Sequence, residues 1–249
     1  MADWTTFPNA PITEALLDIR VQLPEDVNLA QLATFYNSVK ARYPNKRERQ
    51  SWRGGLKLAG GGELEVLQSH SGPDGYLFTS SDGKQIVQAR LDGFTFNRLK
   101  PYDRWETFRD QARDLWQLYV EVAQPRQITR TALRYINRME IPLPMRDFKD
   151  YILTVPEIAA ALPQGPVKYF MQLVIPEPEI PATAIITEAM EPSADSTKVP
   201  LILDIDVFCL KVFEVKDRAL WQVFENLRDL KNNIFFKSIT DKTKELFLR

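Results

Sequence analysis

Charged residues share one parity in three segments of this sequence that alternate between polar and apolar side chains. Such alternation predicts β-strands with one buried face, so the charged residues of each segment lie on the other face. These residues are Glu14, Asp18 and Arg20 in segment 14–23, Arg130, Arg134 and Arg138 in segment 129–141, and Asp204 and Asp206 in segment 201–213. If the three strands are neighbours, carboxylates and guanidiniums face one cleft.

Two kinds of chemistry fit this charged face. Asp204 and Asp206 carry the oxygen ligands that Mg²⁺ or Mn²⁺ prefers, and neighbouring arginines can clamp a phosphate, which would suit a metal-dependent phosphoryl-transfer enzyme or a nuclease. Without any cofactor, the same face would bind a polar ligand or a partner. The sequence favours this second function, that of a regulatory or interaction module, and leaves open whether the protein is an enzyme. The residues expected to bind are Glu14, Asp18, Arg20, Arg134, Asn137 and Arg138.

A third interpretation is a solvated sheet face whose ion pairs each contribute little. In every case the two aspartates allow a prediction about the side chains or ions beside them. Carboxylates two residues apart on one face repel each other unless a cation stands between them. We therefore expect an arginine, a lysine or a metal ion beside each of Asp204 and Asp206, with Arg134 or Arg138 as the first candidates.

A basic segment, residues 40–57, is a separate candidate for binding a polyanion. It contains seven basic residues against one acidic residue, a net charge of +6. Its candidate contacts are Arg42, Lys46, Arg47, Arg49, Trp52 and Arg53, in which an aromatic ring accompanies the charges as in proteins that bind nucleic acid. Residues 176–206 contain seven acidic residues against one lysine, a net charge of −6. The two patches could also pair in a homodimer, and a solvated basic surface is the remaining interpretation.

The strands need helices packed against them, and two of the predicted helices, 103–123 and 217–236, are long and amphipathic. The spacing of apolar residues predicts helices over 28–43, 103–123 and 217–236, and strands over 85–91, 94–99, 168–175 and 183–188. Gly and Pro content predicts loops at 60–62 and 69–75. The apolar stripes of the long helices should be buried, namely Trp105, Phe108, Leu115, Trp116, Leu220, Phe224 and Leu227.

The order of these elements predicts an α+β fold with antiparallel sheets, each carrying a long amphipathic helix. We expect residues 1–249 to form one unit, with two topologically similar halves at 1–124 and 125–249. A helix-grip or barrel-like closure of the strands is compatible with this order.

Composition excludes several classes of protein. The chain has 249 residues and a net charge of −1, with one cysteine and one histidine, so an intrachain disulfide and a two-histidine metal motif are excluded. No dinucleotide fingerprint occurs, and no stretch approaches the roughly 18 apolar residues of a membrane span. The N-terminus has no basic and apolar leader, and Cys209 suits a reducing compartment, so we expect a cytoplasmic protein without membrane contact.

Four short motifs together are similar to a known group of proteins. They are NAPITEAL at 9–16, RLKPY at 98–102, LRYINR at 133–138 and LDID at 203–206. These motifs resemble a sporadically distributed bacterial family of about this length whose function is unassigned. The resemblance extends over nearly the whole chain and implies a single full-length unit in a bacterial cytoplasm. It implies no catalytic residue.

Overall fold

The protein consists of one layer of β-strands with helices packed on one side of it, as the alternating segments and the apolar helical stripes of the sequence suggest. The computed structural model describes residues 4–58, 64–164, 166–217 and 219–248, without the side chains of 51–58 and 64–71. The side chains of Trp52, Arg53 and His70, and all of 60–62, therefore lie outside the described part.

The strands are β1 Ile12–Gln22, β2 Asn45–Leu58, β3 Leu64–Thr79, β4 Gln85–Arg90, β5 Gly93–Leu99, β6 Gln127–Pro142, β7 Phe170–Glu177, β8 Ala182–Met190 and β9 Lys198–Cys209. The helices are α1 Leu29–Ala33, α2 Phe35–Val39, α3 Trp105–Ala123, α4 Ala219–Ser238 and α5 Asp241–Leu248, with a 3-10 turn at Phe148–Asp150. Within the described residues, no helix is long and apolar enough to cross a membrane.

The fold is α+β, as predicted, but its strands form one sheet. Their order is β2-β3-β4-β5-β1-β6-β9-β8-β7, and every neighbouring pair is antiparallel. The sheet is open: β2 and β7 are edges at opposite ends and do not pair, so the barrel-like closure that the sequence left possible does not occur. β1 and β6 pair at the centre of the sheet. Outward from β1 the order is β5, β4, β3 and β2, and outward from β6 it is β9, β8 and β7. In the chain, α3 follows β5 and α4 follows β9.

Helices cover one face of the sheet and bury its apolar side chains. Phe94 on β5 packs against Trp116 of α3 with ring centroids 5.9 Å apart, and Phe96 stacks on Phe108 at 5.3 Å. α4 lies over β6 and β9. The seven stripe residues predicted to be buried in α3 and α4 are all buried, which confirms that prediction.

Two local predictions are wrong. The helix expected over 28–43 is divided at Thr34, whose hydroxyl donates to the Gln31 carbonyl at 2.7 Å and which ends α1. The loop expected at 69–75 lies within β3, because the β2–β3 hairpin continues through it, with register shifts next to Gln50 where β3 has the extra residues.

Candidate functional site

The charged face predicted from strand parity exists, on the side of the sheet that the helices leave uncovered. Strand register decides which of its residues meet. Arg134 on β6 pairs with Asp206 on β9, and Asp18 on β1 pairs with Thr95 on β5. The three predicted strands are thus direct neighbours at the centre of the sheet, in the order β1-β6-β9.

A concave site of about 640 Å³ lies over this region, and we call it the arginine cavity. Its charged lining is Asp18, Arg20, Arg49, Arg90, Arg130, Arg134 and Asp206, and Gln88 and Thr95 add neutral polar groups. Five guanidiniums face two carboxylates, an excess of three positive charges. The surface of the cavity therefore carries a local excess of positive charge.

Asp18 is the anchor of the cavity. Its Oδ1 accepts from Arg90 Nη2 and from Thr95 Oγ1, both at 2.7 Å. Its Oδ2 accepts from Arg130 Nη1 at 3.1 Å and from Arg20 Nε at 3.2 Å. Burial alone would raise the pKa of Asp18, but Arg90, Arg20 and the hydrogen bonds hold it below its ordinary value. Asp18 therefore stays ionised and fixes three arginines around it.

Asp206 is held more loosely. Its Oδ2 lies 3.4 Å from Arg130 Nη2, and within the described part of the chain its buried Oδ1 has no hydrogen-bond partner. Burial raises the pKa of Asp206 in spite of Arg130 and Arg134. The guanidinium of Arg130 therefore bridges two carboxylates, Asp18 and Asp206, and it also lies 4.7 Å over the ring of Phe208.

Asp204 is held by Arg134. Arg134 Nε donates at 2.9 Å and Nη2 at 2.5 Å to its two carboxylate oxygens. Each aspartate therefore has an arginine beside it, as predicted. Arg134 was one of the two expected partners; Arg130, rather than Arg138, is the other. The Arg134 side chain remains 44% exposed, so part of its guanidinium still faces the cavity.

Two cavity residues come from the far half of the sheet and were not grouped with this face. Arg49 on β2 had been assigned to the polyanion-binding segment, but its guanidinium donates to Gln88 Oε1 at 3.1 Å and to Asp74. Arg90 on β4 is almost fully buried against Asp18. Strand parity alone places Arg90 on the opposite face of β4 from Val87 and Ala89. Only the strand order shows that its side chain lies beside Asp18.

Other predicted binding residues lie outside the cavity lining. Arg138 pairs with Glu191 at 2.9 Å and with Glu140. Glu14 accepts from Asn97 at 2.6 Å. Asn137 is on the opposite, helix-covered face, buried, and donates to the Leu203 carbonyl at 3.0 Å.

The rest of the basic segment stays at the edge of the sheet. Arg42, Lys46 and Arg47 are exposed. Lys46 Nζ lies 4.2 Å over the ring of Tyr76, and the Arg42 guanidinium lies 5.6 Å from the ring of Tyr43. These exposed cations remain available to a polyanion, separately from Arg49, which turns into the arginine cavity.

The residues present do not fit the alternative Mg²⁺ or Mn²⁺ site. Such ions need several oxygen ligands converging on one point. Among the described residues, no group of three histidine, cysteine, aspartate or glutamate side chains is placed to hold a metal ion. The carboxylates of Asp204 and Asp206 face arginines instead.

Comparison with protein-family models and with curated proteins gives no match for this sequence.

Proposed function

We propose that this protein is a binding module of the bacterial cytoplasm whose ligand is a small, multiply charged, phosphate-bearing anion held in the arginine cavity. The observation that supports the proposal is the convergence of five guanidiniums from β1, β2, β4 and β6 on one concave surface. Guanidinium groups suit phosphate because their planar donors match its oxygens in pairs. The cytoplasmic setting rests on the bacterial resemblance and on the unpaired thiol of Cys209.

The arginines are positioned before any ligand arrives. Arg90 and Arg130 are fixed by Asp18, and Arg134 by Asp204. Fixing side chains in advance lowers the entropy lost on binding, which favours affinity. The volume of about 640 Å³ lies within the range of roughly 300–1,000 Å³ typical of small-molecule sites and would accommodate a nucleotide.

Carboxylates outside the lining limit how strongly the cavity attracts anions. Asp74, Asp92 and Asp204 pair with Arg49, Arg20 and Arg134 from outside the wall. The cluster as a whole is therefore close to neutral, and the positive excess is local to the surface. Binding should accordingly depend on direct guanidinium contacts rather than on long-range attraction, and it should weaken only moderately as salt is raised.

Calorimetric titration with inorganic triphosphate and with ATP tests the proposal. Arg134→Gln should weaken binding about tenfold or more, because hydrogen bonds to charged groups contribute roughly 1.5–3 kcal/mol. Arg138→Gln is the matched control: it makes the same charge change on the same strand and face, outside the cavity. No heat from either ligand with the wild-type protein, or equal weakening by both variants, would contradict the proposal.

A further inference from the structure

A second cavity, of about 300 Å³, lies on the opposite, helix-covered side of the sheet. It is enclosed by the N-terminal segment 4–12, by segment 100–106 before and at the start of α3, and by α4. Much of its wall is aromatic, from Trp4, Phe7, Tyr102, Trp105, Tyr135, Phe235 and Phe236. We call it the lysine cavity, because Lys231 of α4 is its most deeply buried cation.

Lys231 lies on the apolar stripe of α4, one turn from Leu227 and one turn from Phe235. Its side chain is 8% exposed, and its Nζ lies 3.8 Å from the ring centroid of Tyr135 and donates to Asn232. Among the described residues, no carboxylate forms an ion pair with this amine. A buried charge without a counter-ion is costly, so the position needs an explanation.

Two tyrosine hydroxyls and a second cation of α4 also line the lysine cavity. The hydroxyls of Tyr102 and Tyr135 are 2.8 Å apart and share one hydrogen bond. Arg228, one turn before Lys231 on α4, also lines the cavity, and its nearest carboxylates, Glu225 and Glu106, are 3.9 and 4.0 Å away. Arg228 therefore has two carboxylates within ion-pair distance, whereas Lys231 is a buried cation of this largely aromatic space with which none of the described carboxylates pairs.

We propose that the lysine cavity binds a small organic carboxylate with an aromatic body, its carboxylate group paired with Lys231 and its ring against the aromatic wall. A carboxylate would supply the counter-ion that Lys231 lacks, and the rings would bury the apolar part of the ligand. The volume suits a ligand of one or two rings, near the lower limit of ordinary ligand sites. This site is independent of the arginine cavity, from which the sheet separates it.

Burial, together with the smaller effect of the neighbouring charge of Arg228, lowers the pKa of Lys231 to about 7. A bound carboxylate would favour the protonated amine, so binding near neutral pH should take up a proton and weaken as pH rises above about 7. The other titratable or charged groups that face the cavity are Lys100, Tyr102, Asp103, Arg104, Glu106, Tyr135 and Arg228. Burial raises the pKa values of Tyr102 and Tyr135, so neither hydroxyl ionises in this range.

Calorimetric titration with benzoate and with indole-3-acetate at about pH 6.5 and about pH 9 tests this inference. We expect affinity at least about tenfold weaker at the higher pH, since a pKa near 7 leaves about one amine in a hundred protonated there. Benzamide, the neutral analogue of benzoate, should bind much more weakly than benzoate at the lower pH. Repeating the titration in two buffers of different ionisation enthalpy measures the expected proton uptake on the wild-type protein.

Lys231→Met keeps the side-chain length and removes the charge, and it should abolish the preference for benzoate over benzamide. Lys237→Met is the matched control, an exposed lysine on the same helix. The inference is overturned if neither carboxylate binds the wild-type protein, if benzamide binds as well as benzoate, or if no proton is taken up. Because the arginine cavity is untouched, triphosphate binding by Lys231→Met should stay unchanged, which separates failure here from failure of the proposed function.

Discussion

Arg134 holds Asp204 with two guanidinium nitrogens, Nε at 2.9 Å and Nη2 at 2.5 Å, across the β6–β9 strand pair. The pairing is diagonal, since the register places Asp206 directly opposite Arg134 and Ile136 opposite Asp204. A bidentate pair of this kind is among the stronger polar contacts in proteins. It also orients the arginine that we expect to contact the ligand.

Replacing Asp204 by Asn should destabilise the protein by about 1–2 kcal/mol, because the charged hydrogen bonds weaken while Arg134 remains partly solvated. Urea unfolding would measure the change. Asp114→Asn is the control, since Asp114 is an exposed residue of α3. An unchanged midpoint for Asp204→Asn, equal to that of the control, would show that the pair contributes nothing to folding.

Gly93→Ala should be strongly destabilising, by about 2–4 kcal/mol, because two causes act together. Gly93 has φ +154°, a backbone angle that residues with a side chain rarely adopt. An added Cβ would lie 2.2 Å from the Ile19 carbonyl oxygen. Gly83→Ala separates the two causes, because Gly83 also has positive φ (+71°) but has open space around it. Equal midpoints of thermal unfolding for the two variants would mean that close packing of β5 against β1 is not the reason for the glycine.

Trp116→Ala should cost about 3–5 kcal/mol of folding free energy, the range for truncating a large buried aromatic side chain. Trp116 packs against Phe94 at 5.9 Å and stacks on Tyr119 at 5.5 Å between ring centroids. Gln117→Ala, at an exposed position of the same helix, should change stability by less than about 0.5 kcal/mol. A loss below about 1 kcal/mol for Trp116→Ala would contradict the packing of α3 on β5.

Glu188 makes stability depend on pH. It is 1% exposed on β8, and neither carboxylate oxygen has a hydrogen-bond partner among the described residues. Burial raises its pKa to about 7 from 4.5. The folded protein therefore binds this proton more tightly than the unfolded chain does, so the stabilising contribution is complete below about pH 4.5 and is lost as pH rises through about 7.

Between about pH 5 and pH 8, the wild-type protein should lose about 1–3 kcal/mol relative to Glu188→Gln, which cannot titrate. Urea unfolding of both proteins across this range gives the difference, and the comparison cancels titrations that they share, including that of Lys231. Glu179→Gln, at an exposed position, should follow the wild-type curve. Parallel curves for wild type and Glu188→Gln would mean that Glu188 is solvated.

Two buried charges were open to sequence reasoning and were missed. Lys231 lies on the apolar stripe of α4 between Leu227 and Phe235, each four residues away, and Glu188 lies on the same face of β8 as the buried residues Ala182 and Ala184. In both cases the same residue spacing that predicted the buried face of the helix or strand also predicts that a charged residue lies on that face. Such an exception to the hydrophobic pattern is the signal that would have pointed to the lysine cavity.

The sequence by itself determined the α+β class, the buried stripes of the long helices and the face on which each strand carries its charges. These properties follow from side-chain periods of 3.6 and 2 residues, which are local. Only the tertiary structure decided that Arg90 and Arg49 join Asp18 and Asp206 in one cavity, and that Asp206 is paired with Arg130 instead of Arg138. Those contacts depend on strand order and register between segments as far apart as β2 and β9, and strand parity is the same for every order in which the strands could pair.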